Sequence, residues 1–392
     1  MVSPDERRIA LRFIVCLGVV SLFADMTYEG AYSGTGPLLT DLGISAAAAG
    51  FIAGFGEMAA ASLRYFSGKL ADRTRAYWTL VFLGYALNVI AVPGLAFAGS
   101  WEMVAVLVVI ERTGKALRGP ARDVILSEAT AMVGHGWGFG IHAAMDQTGA
   151  VIGPLIVAFA VARSHKFGPA FLVLGIPAVL ALAALVVARR FRPRHVTPPS
   201  VKPPQPLPRV FWIYVLASGL LAAGFLDFTL LGFHFQRTRL FKPETIPLLY
   251  AGAMGIVGIT ALVCGRLFDR HGVIVLALGV LVTMLALPFG FLGGQIGGML
   301  AVACWAAGHG VQDATMRSGI AQVVSMNKRG SAFGAFNGVF GVMWFLGSVV
   351  MGLLYDRSLV ALVVFGLAFQ VASSALFFWL RRPLAAEVAA QR

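Results

Sequence analysis

Charge is what this sequence has least of. Asp, Glu, Lys and Arg make up only 12% of its 392 residues, where soluble globular chains carry about a quarter. With 58% hydrophobic residues and a mean hydropathy of +0.81, that scarcity excludes a water-soluble fold. Cysteine is nearly as sparse. Cys16, Cys264 and Cys304 lie in apolar runs without CxxC or metal-finger spacing, so they read as inert core residues and no metal site is expected from them. No small-residue cleavage site closes a short apolar core at the start, MVSPDERRIALRFIVCLG, so the first hydrophobic segment is expected to stay as a spanning helix. Nucleophile–base pairs, a phosphate loop and HExxH are also missing, and no enzyme is expected. Short alternating segments are not the pattern either, which excludes a transmembrane barrel.

What is present is a series of apolar runs of about 18 residues or more along the whole length. They predict an all-α integral membrane protein with about twelve spans, near 10–38, 46–66, 77–98, 102–121, 137–161, 167–189, 210–235, 246–268, 272–292, 297–320, 332–354 and 359–380. The net charge of +13 would suggest nucleic acid in a soluble chain. Here the basic residues cluster at every second loop, as in Arg7, Arg8 and Arg12, then Lys69, Arg73 and Arg75, then Arg189 to Arg209. By the positive-inside rule this predicts a multi-pass protein of the cytoplasmic (inner) membrane with both termini cytoplasmic and no nucleic-acid partner. Residues 190–209, RFRPRHVTPPSVKPPQPLPR, are basic and proline-rich and read as a linker. The expected domains are therefore 1–189, the linker 190–209, and 210–392.

The two halves repeat. GKLADR (68–73) recurs as GRLFDR (265–270), pairing Gly68 with Gly265, Asp72 with Asp269 and Arg73 with Arg270. Gly114, Gly136, Phe139, Gly140 and Gly153 recur without a gap as Gly308, Gly330, Phe333, Gly334 and Gly347, and DMTYEG (25–30) resembles DFTLLG (227–232). Collinear matches of this kind predict two pseudo-symmetric six-helix bundles of like orientation.

On these motifs the chain resembles the major facilitator superfamily over nearly its whole length. GKLADRTR and its copy GRLFDRHG look like that family's cytoplasmic gate motif, although the first copy lacks the later glycine that the second keeps as Gly272. GAVIGP (149–154) resembles the GxxxGP core of the antiporter motif of the exporter branches, with Val157 and Ala158 in place of its closing glycines. Generic close helix packing through Gly149 and Gly153, with a bend at Pro154, is the other reading of that stretch. The resemblance implies a central cavity among the first, fourth, seventh and tenth helices. It also implies a gate in which Asp123 pairs with Arg73 or Arg75, and Asp72 meets the N-terminus of the eleventh helix.

Charges inside spans are costly, about +2.5 to +3.5 kcal/mol each at mid-bilayer on translocon scales, so they mark protein-facing or water-facing surface. In ERTGKALRGPARD (111–123), Glu111, Lys115, Arg118 and Arg122 share one helical stripe, with Arg112 and Asp123 beside it. By depth, Glu111, Arg112 and Lys115 are cavity candidates, while Arg118, Arg122 and Asp123 belong to the gate or snorkel to the interface. Asp25, Tyr28, Glu29 and Tyr32 share one face of the first span and form the foremost candidate site for a proton or substrate. A static pairing of these carboxylates with Arg112 or Lys115 is the alternative. Glu57, with Arg64 two turns on, is either functional or a structural ion pair. His142 and Asp146, one turn apart, could bind a metal, relay a proton or simply join helices. In the C-terminal half, Asp227 corresponds to Asp25, and Phe225, Phe228, Trp305, Phe336 and Trp344 are possible apolar walls.

The expected function is secondary active transport by alternating access, exporting a small organic molecule, as multidrug exporters do, in exchange for protons. No cofactor is expected beyond the proton as coupling ion. The expected partners are a small-molecule substrate and the lipid bilayer, with the chain acting as a monomer. Export of a divalent metal, resembling ferroportins, and symport or uniport are the alternatives.

Overall fold

In hydrocarbon each backbone N–H and C=O must find a partner within the protein, so apolar segments of this length fold as helices. The computed structural model describes residues 4–191, 207–324 and 329–390, so most of the expected linker 190–209 lies outside the described residues. Among the described residues the chain is helical with short connections and no strand. The helices are α1 (Pro4–Asp41), α2 (Ala46–Thr74), α3 (Tyr77–Gly94), α4 (Trp101–Val133), α5 (His135–Ser164), α6 (Phe167–Val173), α7 (Gly175–Arg190) and α8 (Arg209–Gly224). They continue as α9 (Phe228–Arg237), α10 (Thr245–His271), α11 (Ile274–Thr283), α12 (Ala286–Leu292), α13 (Gly294–Val323), α14 (Arg329–Arg357) and α15 (Leu359–Ala390).

Three spans are built from tandem helices: α6 with α7, α8 with α9, and α11 with α12. Ten stretches are long and apolar enough to cross a bilayer, and α4 and α13 complete the expected twelve. Those two fall short on composition, α4 because of its charges and α13 because of its many small and polar residues. Outward faces are apolar: Phe97, Phe159, Ile259, Leu262 and Ile296 are all more than half exposed, as a lipid-facing surface requires. The fold is an all-α, multi-pass membrane fold.

The chain forms two compact units. One comprises Met1–Leu42, Ser62–Ser200 and Lys242–Ala251; the other comprises Gly43–Ala61, Val201–Phe241 and Gly252–Arg392. In the first, α1 packs against α5, α7 and α4, and α3 against α4. In the second, α8 packs against α14 and α15, and α13 against α11 and α12.

The sequence repeat is a repeat of contacts. In the first unit a methyl group on Gly153 would lie 2.1 Å from the Met26 carbonyl oxygen, and one on Gly149 2.2 Å from that of Leu22. In the second unit a methyl on Gly347, the counterpart of Gly153, would lie 2.1 Å from the Ala223 carbonyl oxygen. The loop motif behaves alike: Gly68 approaches Pro120, and Gly265 approaches Ala314, each at 3.8 Å from the position a Cβ would take.

The missing motif glycine also has a structural counterpart. Gly272 ends α10 at φ +64°, donating its N–H to Phe268 at 2.7 Å, and Arg75 ends α2 at φ 54°, donating to Ala71 at 2.8 Å. The turn is kept and an arginine is held in the left-handed region. That conformation costs a non-glycine residue about 1–2 kcal/mol. Arg75→Gly should leave the melting temperature unchanged or slightly higher, while Gly272→Ala should lower it by a comparable margin; thermal unfolding of the purified protein reads both.

In the second unit the seventh span is interrupted. α8 ends at Gly224 and α9 starts at Phe228, where the sequence predicted one continuous helix over 210–235. Neighbouring side chains satisfy the freed groups: Gln370 Nε2 donates to Gly224 O at 2.7 Å, Trp305 Nε1 to Leu226 O at 2.8 Å, and Thr229 N–H to Asp227 Oδ1 at 2.8 Å.

Candidate functional site

The first unit gathers most of the intramembrane charge. α1 carries Ser21, Asp25, Tyr28, Glu29 and Tyr32 along one face, and the antiparallel α4 lays Arg122, Lys115 and Arg112 beside them. α5 adds His142 and Asp146. At about 1.5 Å per residue the α1 face is some 16 Å long.

At one end the carboxyl groups of Asp25 and Asp146 come together across α1 and α5. Ser21 Oγ also donates to Asp146, and Arg122 Nη1 donates to Ser21 Oγ at 3.3 Å. The Arg122 guanidinium meets Asp123 through Nε at 3.1 Å and Nη2 at 3.0 Å. Asp123 thus pairs with its own neighbour, where the family resemblance implied Arg73 or Arg75; those two arginines are exposed at the end of α2. His142 is buried one turn before Asp146, and both sit in the field of Arg122.

At the other end the tyrosines form a panel. Tyr28 and Tyr32 stack at 6.2 Å, Tyr32 meets Tyr250 at 5.7 Å, and the Tyr250 hydroxyl donates to Glu29 Oε2 at 2.6 Å. Over that panel lie cations of α4: Lys115 Nζ is 3.4 Å from the Tyr28 ring centre, and Arg112 Cζ is 4.8 Å from Tyr28 and 5.2 Å from Tyr32. Arg112 and Glu111, both buried, approach to 3.7 Å. Arg118, also buried, stacks over Tyr85 at 4.6 Å.

Of the residues singled out in the sequence, Asp25, Tyr28, Glu29, Tyr32, Glu111, Arg112, Lys115, His142 and Asp146 therefore lie together on α1, α4 and α5, with Arg118 and Arg122 continuing the stripe. Two candidates belong to the second unit. Glu57 is half-buried on the part of α2 that belongs to the second unit. Asp227 caps α9 through Oδ1 and accepts from Trp344 Nε1 at 3.3 Å through Oδ2, so both its oxygens hold the interrupted span. The side chain of Asp72, and the segment before α14 it was expected to meet, lie outside the described residues. A carboxylate does meet a helix start in the second unit, where Asp356 accepts from the α2 amides of Ala46 at 3.4 Å and Ala47 at 3.2 Å. Asp269 and Arg270 are exposed at the end of α10.

Ser21, Tyr85 and Tyr250 had no signal in the sequence beyond polarity within apolar runs. The second unit brings its aromatics together: Phe225 lies 6.3 Å from Trp305 and 4.9 Å from Trp344, and Phe228 lies 5.5 Å from Trp305. Phe340 bridges Phe336 and Trp344, and the His309 ring stacks on Trp305 at 5.2 Å. Among the described residues no group of three or more His, Cys, Asp or Glu side chains is placed to hold a metal ion.

The profile of the Major Facilitator Superfamily matches residues 15–348. An "uncharacterized protein" of Mycobacterium tuberculosis (strain ATCC 25618 / H37Rv) is 39% identical, covering 95% of this chain and 94% of its own length. An "uncharacterized MFS-type transporter" of Methanocaldococcus jannaschii is 23% identical, covering 96% and 97%. Among solved structures, a bacterial homolog of the human lysosomal transporter Spinster superposes with a TM-score of 0.69 at 14% identity, covering 98% of this chain and 99% of its own. The nucleoside transporter NupG gives 0.68 at 15%, covering 96% and 98%. At such identities the two structures speak to fold alone.

Proposed function

Because the chain belongs to the major facilitator superfamily, a family of transporters and not of enzymes, we propose that it exports a small organic molecule in exchange for protons by alternating access. Its place is the cytoplasmic membrane, with both termini cytoplasmic, residues 1–189 and 210–392 as its two halves, and the monomer as the working unit. The observation that carries this reading is the Asp25–Asp146 carboxyl pair, held between α1 and α5.

In this reading the two carboxyl groups hold one proton between them, release it when the site is rearranged and recover it from the other side. Arg122, already bonded to Ser21 beside the pair, is placed to supply the counter-charge once the proton leaves. α1 and α5 touch backbone to backbone at Gly149 and Gly153, so a displacement of either helix is felt at the pair one turn away. The GAVIGP stretch that makes this contact is also the ground for reading the chain as an exchanger. Organic cargo is favoured over a metal ion because the charged groups here are mixed in sign and interleaved with tyrosine.

The test uses everted membrane vesicles containing the chain, energised to an acid interior and reported by a pH-sensitive dye. A panel of lipophilic cations, organic acids and sugars is added in turn. Proton efflux triggered by a member of the panel, and absent from vesicles without the chain, is the expected result. A compound that stabilises the purified protein against heat yet moves no protons would remove proton exchange from the assignment.

A further inference from the structure

We propose that His142 is the relay through which protons pass between the Asp25–Asp146 pair and the cytoplasmic side. This rests on the proton-exchange reading above and adds to it a residue that neither binds cargo nor holds the coupling proton.

The spacing of His142 to Asp146 left three uses open: a metal ligand, a polar link between helices, or a proton carrier. The metal reading lacks further ligands, since no group of three or more His, Cys, Asp or Glu side chains comes together among the described residues. A link between helices needs a hydrogen bond. His142 is only 5% exposed, yet its ring takes part in none of the described hydrogen bonds, and Nε2 is buried without a partner in the protein. Leaving such a nitrogen bare costs about 1–3 kcal/mol, so a purely structural role would favour an apolar side chain here.

What surrounds the ring is charge. Arg122 and Asp123 of α4 and Asp146 of its own helix act on it electrostatically, and Asp25 of α1 stands beyond Asp146. These groups grade from outside to inside: the Asp123 side chain is 55% exposed, that of Arg122 22%, and His142 is buried. Packing fixes the level of the ring. A methyl group on Gly138, one turn earlier, would run into Thr130 of α4 and Ile14 of α1, and Gly149 lies against the Leu22 backbone, so α5 is held on both sides of His142. The ring stands about 6 Å along α5 from Asp146, toward the end where the helix begins. With both termini cytoplasmic, that is the cytoplasmic end.

Imidazole suits the step because it takes up a proton at one nitrogen while giving one up at the other. In export, the O–H bond of the carboxyl pair breaks and an N–H bond forms on one side of the ring. The proton on the other nitrogen then leaves to water at the cytoplasmic end. The ring is neutral again in its second tautomer, which reverts before the next cycle, and the carboxylate left behind is met by Arg122.

The vesicle assay is run with tetraphenylphosphonium, benzoate and glucose in turn, on the wild type and on His142→Gln. Gln keeps a polar side chain of similar length but cannot carry a proton. Substrate-triggered proton efflux should slow about 100-fold in this variant, the lower end of what a proton-transfer group contributes. Its melting temperature should stay near wild type. In His142→Ala, added imidazole should restore part of the efflux, and pyrazole, which has the same ring shape but is a far weaker base, should not. Wild-type efflux in His142→Gln would overturn the relay, because protons would then reach the half-buried carboxyl groups directly. Rescue by both azoles alike, or by neither, would assign His142 to packing and overturn it as well. The two readings fail separately. No proton movement by the wild type with any of the three compounds removes the exchange assignment and the relay with it, whereas loss of coupling in Asp25→Asn beside an indifferent His142→Gln removes the relay alone.

Discussion

Vesicles carrying Asp25→Asn should show substrate-triggered proton movement reduced about 100-fold or more, the scale on which removal of a proton-transfer group acts. The substitution is nearly isosteric, and an Asn amide can still donate to Asp146, so the contact between α1 and α5 survives. What is lost is the ability to pick up and release a proton. Asp146→Asn should do the same, because the proton belongs to the pair and not to one member. The melting temperature should stay near wild type in both variants, which separates the coupling defect from unfolding. Glu57→Gln, on a different part of the molecule, should leave proton movement near wild type. Full proton movement in Asp25→Asn would show that the pair is not the carrier.

Gly153→Leu should yield no folded protein. The position of its Cβ is 2.1 Å from the Met26 carbonyl oxygen, and what it meets is backbone, which cannot swing aside as a side-chain tip would. Weak Cα–H···O contacts have C···O distances of about 3.3–3.6 Å, so even a methyl group requires the helices to separate by about 1 Å. Gly153→Ala should therefore cost about 1–3 kcal/mol, the usual range for overpacking, and lower the melting temperature. Gly347→Ala should match it, since its Cβ would meet Ala223 at the same distance. Gly252 is the contrasting case, with no heavy atom within 4 Å of its Cβ position. Gly252→Ala should be neutral or stabilising by about 0.5–1 kcal/mol, through lower backbone entropy. Equal losses at all three positions would mean that general helix dynamics, and not close approach, sets the effect.

Helical periodicity and the expense of burying charge made much of this legible in advance. Asp25, Tyr28, Glu29 and Tyr32 share a face because the helix repeats every 3.6 residues, and a charged face in lipid has to meet protein or water. Periodicity operates within one helix, however. It linked Asp146 to His142, one turn away on α5, and had no means of showing that the carboxylate reaches across to Asp25. Tyr250 and Ser21 carry no charge and so raised no alarm in an apolar run. The break at Phe225–Asp227 left one faint trace, an Asp directly before FTLL, which is a helix-start signal; continuous hydropathy outweighed it. The missing glycine at Arg75 was visible, but only the backbone angle shows that the turn persists without it.

The interrupted seventh span has a consequence for the order of assembly. A continuous helix leaves the ribosome with its backbone bonds supplied by its own residues. α8 and α9 do not: the carbonyl of Leu226 waits for Trp305 and that of Gly224 for Gln370, residues made later by 79 and 146 positions respectively. Until then each bare carbonyl in hydrocarbon carries a penalty of several kcal/mol. The seventh span is thus inserted before it is finished, and the closing stitch comes from α15, made long after it. A chain stopped short of α15 would hold every residue of that span and still lack the donor for its central carbonyl.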